Sequence, residues 1–413
     1  MTNTTTKNGT KYRVGDWVEV KTKEEILQTL DGNGKLDGMP FMPEMLQYCG
    51  RRFRVHKRAH KTCDYSTPYP FRTRRLKDTV HLETRCSGEA HNGCQSGCLL
   101  YWKHAWLKPI TSVQKLSQIV EASPRPASPV TGVSGCSEAR LSECTRLPGS
   151  DSASPTYVCQ TTEIPRATAR LGWWDIRQYI EDYASGNVPF RRLVSSLIYS
   201  TYYRFSGSRR LEGLGVGRIL HELYNLFVPV WGGTLYPRLH GTIPVGQPTP
   251  NTTLNLKPGE LVRVKSHKEI LQTVNTENKN RGMSWDAELV PYCGKTYRVL
   301  RRVERLIDEK TCQMLEMKSP CIVLESVVCQ ARYSGCRMMC PKQMFPFWRE
   351  TWLERVHPAV TQPEVSEPRK ATQVQSSAET CSSISLIEPV VCNGHKTGYG
   401  NARQICDNAD SAS

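Results

Sequence analysis

Cysteine is the residue type whose number and spacing most clearly suggest chemistry, with 17 thiols in 413 residues. Zinc binds four thiolate or imidazole ligands, and such a site stabilises a small domain that buries little apolar surface. We predict a first metal site formed by Cys63, Cys86, Cys94 and Cys98. The second predicted site is formed by Cys321, Cys329, Cys336 and Cys340.

Other side chains near these thiols are candidate auxiliary ligands: His60, His81, His91 and Cys312. Four thiolates also suit an iron–sulfur cluster, and a buried cysteine is often a small core residue without a metal. Zinc is the predicted cofactor, and the other two interpretations stay open. Paired carboxylates or a nucleophile–base pair cannot be identified from spacing, so no catalytic residue is predicted.

An internal repeat must position these thiols. The sequence GDWVEVKTKEEILQTL from Gly15 matches GELVRVKSHKEILQTV from Gly259, and the copies end in YWKHAWLK and FWRETWLE. The opening alternation of each copy predicts a half-buried strand. Thr22 with Glu25, and Ser266 with Glu269, have the spacing of a helix capping box.

Short strands, one small helix and a glycine turn before a basic strand are typical of an SH3-like barrel. The predicted fold is therefore mainly β with a small α insert. It contains two tandem SH3-like barrels, each with a Cys-rich metal-site extension, plus a disordered linker and tail. Fold analogy of this kind carries no function by itself.

Several motifs lie within the two copies: AHKTCD at 59–64, VHLE at 80–83, a Cys-rich run from Cys86 to Trp106, and a second Cys-rich run before FWRETWL. With them the chain resembles a group of bacterial hypothetical proteins that have two Cys-rich SH3-like repeats around a small helical insert. Members of that group sit beside enzymes of surface-polysaccharide or specialised-metabolite synthesis. The resemblance implies an accessory role in such a pathway.

Composition divides the chain further. Serine, proline and threonine dominate the stretch after the first copy, which predicts disorder, whereas Trp173, Ile176 and Tyr183 fall at helical spacing. The predicted order is disorder at 1–12, repeat 1 at 13–110, a disordered linker at 111–170, a helical insert at 171–240, a linker at 241–256, repeat 2 at 257–357 and a disordered tail at 358–413.

Positive charge is in excess, with 55 Lys and Arg against 39 Asp and Glu. Two basic strands could bind an acidic glycan or another polyanion through Arg51, Arg52, Arg54, Arg58, Arg298, Arg301, Arg302 and Arg305. The alternative is a solvated edge strand that is protected by charge. Tyrosine and tryptophan residues are not regularly interleaved with these arginines, which disfavours nucleic acid as the partner.

The predicted function is a metal-stabilised, non-catalytic binding or scaffold protein that contacts protein partners in a bacterial biosynthetic pathway. The first alternative is a zinc or iron–sulfur metalloenzyme that uses the Cys/His site of repeat 1. The second alternative is polyanion or nucleic-acid binding. The sequence has no apolar stretch long enough for a transmembrane segment and no apolar signal region near Met1, so a cytoplasmic location is expected.

Overall fold

The structure, a computed structural model, describes residues 12–66, 72–110, 136–151, 153–206, 216–334 and 337–356. The chain is mainly β, with two curled half-barrel sheets and a few helices. The disorder predicted at 1–12 and 358–413 falls, except for Tyr12, outside the described residues.

The strands, in chain order, are β1 (Trp17–Val20), β2 (Lys35–Leu36), β3 (Met39–Pro40), β4 (Arg52–Arg58), β5 (Lys61–Asp64), β6 (Arg72–Arg75), β7 (Thr79–Arg85), β8 (Leu99–Lys103), β9 (Leu107–Pro109), β10 (Ala169–Leu171), β11 (Leu261–Val264), β12 (Lys279–Asn280), β13 (Met283–Ser284), β14 (Thr296–Ile307), β15 (Met314–Leu324) and β16 (Leu353–Arg355). The α-helices are α1 (Lys23–Leu27), α2 (Glu138–Thr145), α3 (Ile164–Ala167), α4 (Arg177–Ala184), α5 (Phe190–Ser206), α6 (Val216–Trp231) and α7 (His267–Leu271).

The first sheet has the strand order β8-β7-β4-β1-β9, and the second has the order β15-β14-β11-β16. Their central pairs share a register, since Val18 faces Phe53 and Val262 faces Tyr297. A third, smaller sheet has the order β10-β6-β5. Its hairpin of β5 and β6 has no counterpart in the second sheet, where β14 and β15 form one long hairpin instead.

Matched residues make matched contacts in the two sheets. Both predicted capping boxes form, at Thr22 with Glu25 and at Ser266 with Glu269. The indole of Trp106 donates to the Thr29 hydroxyl at 3.1 Å. The indole of Trp352 donates to the Thr273 hydroxyl at 3.0 Å. Each bond gives a fully buried indole nitrogen an acceptor, which fixes the short helix over the open edge of its sheet.

The segment predicted as a disordered linker is ordered over most of its second half. Leu141 of α2 and Ile164 of α3 are buried in the core of the first sheet. The Gln160 side chain accepts from the Tyr101 backbone at 2.8 Å and donates to the Pro40 carbonyl at 2.9 Å. The prediction of disorder is therefore wrong for 136–151 and 153–170, because a few well-placed apolar residues bury there despite the polar average. Residues 111–135 lie outside the description.

Three helices, α4, α5 and α6, lie within the range 171–240 that was predicted as a helical insert. A cluster rich in tyrosine lies beneath α5 and α6: Tyr199, Tyr224, Val228, Tyr236, Ala287 and Tyr333. None of the helices in the described part of the chain combines the length and the apolarity that a membrane crossing requires.

A buried ion pair attaches α4 to β5. The Lys61 ammonium lies 2.5 Å from Asp182 Oδ2, and both side chains are 0 % exposed. The His60 ring lies 3.3 Å from the other carboxylate oxygen. Asp182 therefore balances a lysine that has no access to water, and the position of α4 depends on this contact.

Replacing Asp182 should destabilise the fold because Lys61 would remain buried without a counter-charge. We expect Asp182→Asn to lower the free energy of unfolding by about 3 to 5 kcal/mol. Asp175→Asn is the matched control, because its partner Arg177 is 77 % exposed. Urea titration of both variants measures the difference, and equal stabilities would contradict the role given to Asp182.

Candidate metal centre

Three side chains of different chemistry meet beside the first sheet: Glu44, Cys86 and His91. Glu44 lies in the 3₁₀ helix Pro43–Tyr48, Cys86 directly follows β7, and His91 ends the 3₁₀ helix Glu89–His91. The turn between Cys86 and His91 needs a glycine, because a Cβ on Gly88 would lie 1.8 Å from the Cys94 carbonyl oxygen. Gly88 also has φ +85°, which disfavours other residues.

The ligand atoms of these three residues lie within 4.8 Å of one another. His91 Nε2 is 3.4 Å from Glu44 Oε1, yet neither atom has a hydrogen-bond partner. His91 Nδ1 donates to the Tyr157 carbonyl at 2.9 Å, which leaves Nε2 unprotonated, with a lone pair that can bind a metal ion. A second-shell carbonyl of this kind commonly orients a metal-binding imidazole.

The donor set fits zinc. Zinc binds thiolate, imidazole and carboxylate together, and a bound cation would satisfy the two orphaned atoms of Glu44 and His91. An iron–sulfur cluster fits this group less well, because such a cluster is normally held by four thiolates and the group offers one.

Further thiols surround the group. The Cys86 backbone donates to the Cys98 carbonyl at 2.9 Å. Burial raises the pKa of Cys98, and the neighbouring Cys159 raises it further. Burial also raises the pKa of Cys159, to about 11. These thiols are therefore neutral at pH 7 unless a cation binds and displaces their protons.

The first predicted quartet is not brought together as one ligand set. Cys86 and Cys98 remain neighbours. Among the described residues, Cys86 belongs to the group with Glu44 and His91, and Cys98 belongs to no group of three or more possible ligands. Cys63 lies elsewhere, because the hairpin of β5 and β6 carries it against Cys340. Cys94 Sγ instead accepts the Ile307 backbone N–H at 3.4 Å.

The second predicted quartet is also divided. Cys340 and Cys329 join Cys63 in a small buried cluster with Ala331 and Tyr65. Cys321 lies apart in β15, where Arg349 Nη1 is 3.5 Å from its sulfur. Cys336 falls outside the described residues, and the auxiliary candidate Cys312 is exposed.

Two of the predicted auxiliary histidines have other roles. His60 contacts Asp182, as described above, and its ring also lies 3.2 Å from the Gln178 carbonyl. His81 is fully buried, with Nδ1 2.9 Å from the Leu100 carbonyl and its ring against Tyr101. Burial lowers the pKa of His81 to about 3, so this imidazole is neutral at ordinary pH.

Most of the predicted polyanion-binding arginines have partners within the protein. Arg52 pairs with Glu19, Arg302 with Glu350 and Arg305 with Glu316, at 3.2, 2.9 and 2.6 Å. Arg54 lies over the Trp17 ring, and Arg298 donates to the Gly259 carbonyl at 2.6 Å. Arg301 packs over Phe345 beside the thiols of the first sheet. Arg51 remains exposed.

Sequence reasoning missed Glu44, Tyr157 and Cys159. Glu44 carries no motif, since the chain has 39 acidic residues and nothing local marks this one. Tyr157 and Cys159 fall in the segment that composition predicted to be disordered. A signal was present in that segment, because Leu141 and Ile164 are apolar residues that a polar linker does not need.

The comparisons with known proteins give no relative: no protein-family model, no curated protein and no solved structure matches this chain.

Loss of His91 should remove a metal ion. We expect zinc-supplemented wild-type protein to hold about one equivalent of zinc more than His91→Gln, because three donors become two. His81→Gln is the control, since His81 is a buried histidine that lies outside the group. Mass-spectrometric metal analysis of both variants gives the result, and equal zinc in His91→Gln and wild type would refute the site.

His81 should make folding sensitive to acid. Burial lowers its pKa from 6.5 to about 3. Between these values the unfolded chain binds a proton that the folded chain excludes, so stability falls as the pH falls. We expect His81→Gln to lose less stability than wild type between pH 6.5 and pH 4.5, by up to about 1.4 kcal/mol per pH unit. Urea titrations at both pH values, with the exposed His240→Gln as control, test this, and identical losses would contradict it.

Proposed function

We propose that the chain is a metal-stabilised, non-catalytic binding protein. The observation that carries this proposal is the burial of the Glu44–Cys86–His91 group: His91 is 0 % and the Glu44 side chain 8 % exposed. A cation at this position joins two 3₁₀ helices and the end of β7 to the carbonyl of Tyr157. It can fasten these segments together, whereas a substrate would have little access to it.

The fold supports the same proposal. Two curled sheets with matched capping boxes and matched Trp–Thr hydrogen bonds are consistent with tandem SH3-like barrels, which we propose as the architecture. The segment between β7 and β8 contains only a short 3₁₀ helix, and a structural metal would hold this irregular segment in place.

Removing the metal should separate the structural role from a catalytic one. We expect a chelator to lower the midpoint of thermal unfolding of wild-type protein, with little effect on Glu44→Gln, which has already lost a ligand. Differential scanning calorimetry with and without chelator measures both. An unchanged midpoint in a wild-type protein that has lost its zinc would sink the structural role. It would favour the alternative of a metalloenzyme, in which the fourth coordination position is open.

The binding surface in this proposal is the apolar face of the helical segment. Its members are large apolar side chains at least 46 % exposed: Trp173, Trp174, Ile176, Ile180, Tyr183, Phe190, Ile219, Leu223, Leu226, Phe227 and Val230. An apolar surface of this extent commonly marks an interaction site.

The apolar face has two parts. Between α4 and α5 lies an apolar groove of about 570 Å³ that includes Trp174, Ile180 and Phe190. On α6, Leu223, Leu226 and Val230 form an exposed ridge. One molecule thus offers both an apolar groove and an exposed apolar helix, so we propose a second copy of this chain as the occupant. In a two-fold dimer each ridge would enter the partner's groove.

Self-association should depend on both parts of the face. We expect wild-type protein to sediment as a dimer at micromolar concentration, and Leu226→Glu and Ile180→Glu to sediment as monomers because each places a charge in the contact. Leu315→Glu is the control, since Leu315 is 51 % exposed on β15. If wild-type protein sediments as a monomer, a second copy of the chain does not occupy the apolar groove.

The resemblance described above supports a cytoplasmic accessory role in bacterial polysaccharide or specialised-metabolite synthesis, with pathway enzymes as further partners. Polyanion binding is the weaker alternative. Several of the basic residues proposed for it are already paired with carboxylates, and such pairs would have to open before an acidic glycan could bind.

A further inference from the structure

A pair of buried cysteines lies where the hairpin of β5 and β6 meets the last described segment of the chain. The Cys63 backbone N–H donates to the sulfur of Cys340 at 3.1 Å, across 277 residues of sequence. Cys63 is 4 % and Cys340 5 % exposed. The two thiol side chains also interact with each other electrostatically. Cys329 packs against the same cluster, but among the described residues it does not form a group of three possible metal ligands with Cys63 and Cys340.

Two buried cations lie beside this thiol pair. Lys342 is 1 % exposed and binds Glu309 through both carboxylate oxygens, at 2.7 and 2.9 Å. Arg337 is 8 % exposed and lies 2.5 Å from Asp286. Both cations also pack against the ring of Tyr65, two residues after Cys63. The positive charges of Lys342 and Arg337 favour the thiolate form of Cys63 over the thiol.

We propose that Cys63 and Cys340 are a redox pair that a hydroperoxide converts to a disulfide, and that this bond fastens residues 337–342 to β5. A contact pair of thiols beside fixed positive charge is the arrangement that such an oxidation requires. Hydrogen peroxide is little larger than water, so it is the oxidant best suited to thiols as buried as these. The inference is independent of the metal centre, which uses none of these residues.

The reaction has two balanced steps. The Cys63 thiolate attacks one peroxide oxygen, an S–O bond forms as the O–O bond breaks, and the departing hydroxide takes a proton to become water. The Cys340 sulfur then attacks the Cys63 sulfenic acid. An S–S bond replaces the S–O bond, and the second hydroxide leaves as water with the Cys340 proton. In sum, two thiols and one peroxide give one disulfide and two waters.

Peptide mapping tests the proposal directly. Trypsin releases Cys63 in residues 62–72 and Cys340 in residues 338–342, and each peptide contains one cysteine. The full chain, loaded with zinc, is treated with one equivalent of hydrogen peroxide, unfolded in iodoacetamide and digested without reductant. We expect a disulfide-linked pair of these two peptides. Its mass is about two hydrogens less than the summed masses of the separate peptides, and it disappears on reduction.

Two variants make the result specific. Cys340→Ser removes the second thiol, so Cys63 should accumulate as a sulfenic acid that dimedone traps. Cys321→Ser is the control, because Cys321 lies apart in β15, and it should form the linked peptide as wild type does. The exposed Cys312 shows whether the peroxide has reacted. If Cys312 is oxidised while Cys63 and Cys340 are both recovered in alkylated form, the proposal is overturned. A disulfide between Cys63 and any other cysteine would also overturn it.

Discussion

A charge pair without access to water, Lys61 with Asp182, is the contact on which the arrangement of the chain depends. Lys61 and Cys63 lie on the same short strand, and Asp182 lies on the helix that borders the apolar groove. The pair therefore fixes the thiol cluster and the groove relative to each other, because it joins β5 to α4. A buried pair tolerates little displacement, because separation would leave each charge in an apolar environment.

The second half of the chain completes sites that the first half begins. Arg301 of β14 approaches Gly97 so closely that a Cβ there would lie 2.1 Å from the guanidinium. Arg85 and Arg301 both lie over the ring of Phe345, which belongs to the last described segment. The thiols near the first sheet thus face positive charge from the second, which offsets the negative charge that metal-bound thiolates bring.

Local patterns predicted the local structure well. Alternation gave β1 and β11, the Thr22–Glu25 spacing gave a capped helix, and the apolar period gave α4. Cys86 and His91 were recognised as candidate ligands from residue type alone. The grouping of ligands was not predictable, because β5 turns Cys63 away from Cys86 and only the folded chain brings Glu44 to His91. The prediction of a disordered linker from its composition failed for a related reason. Leu141 and Gln160 are ordered by contacts with the core of the first sheet, which lie far away in the sequence.

The separation of 277 residues between Cys63 and its contact Cys340 has a consequence for synthesis. Ribosomes add about 5 to 20 residues per second, so the strand that carries Cys63 emerges roughly 15 to 55 seconds before the segment that covers it. During that interval the segment from β5 to β7 carries an uncovered patch with a thiol, a tyrosine ring and an arginine that later lies over Phe345. A nascent chain in this state is a natural client for a chaperone, and truncation before residue 337 would leave it in that state permanently.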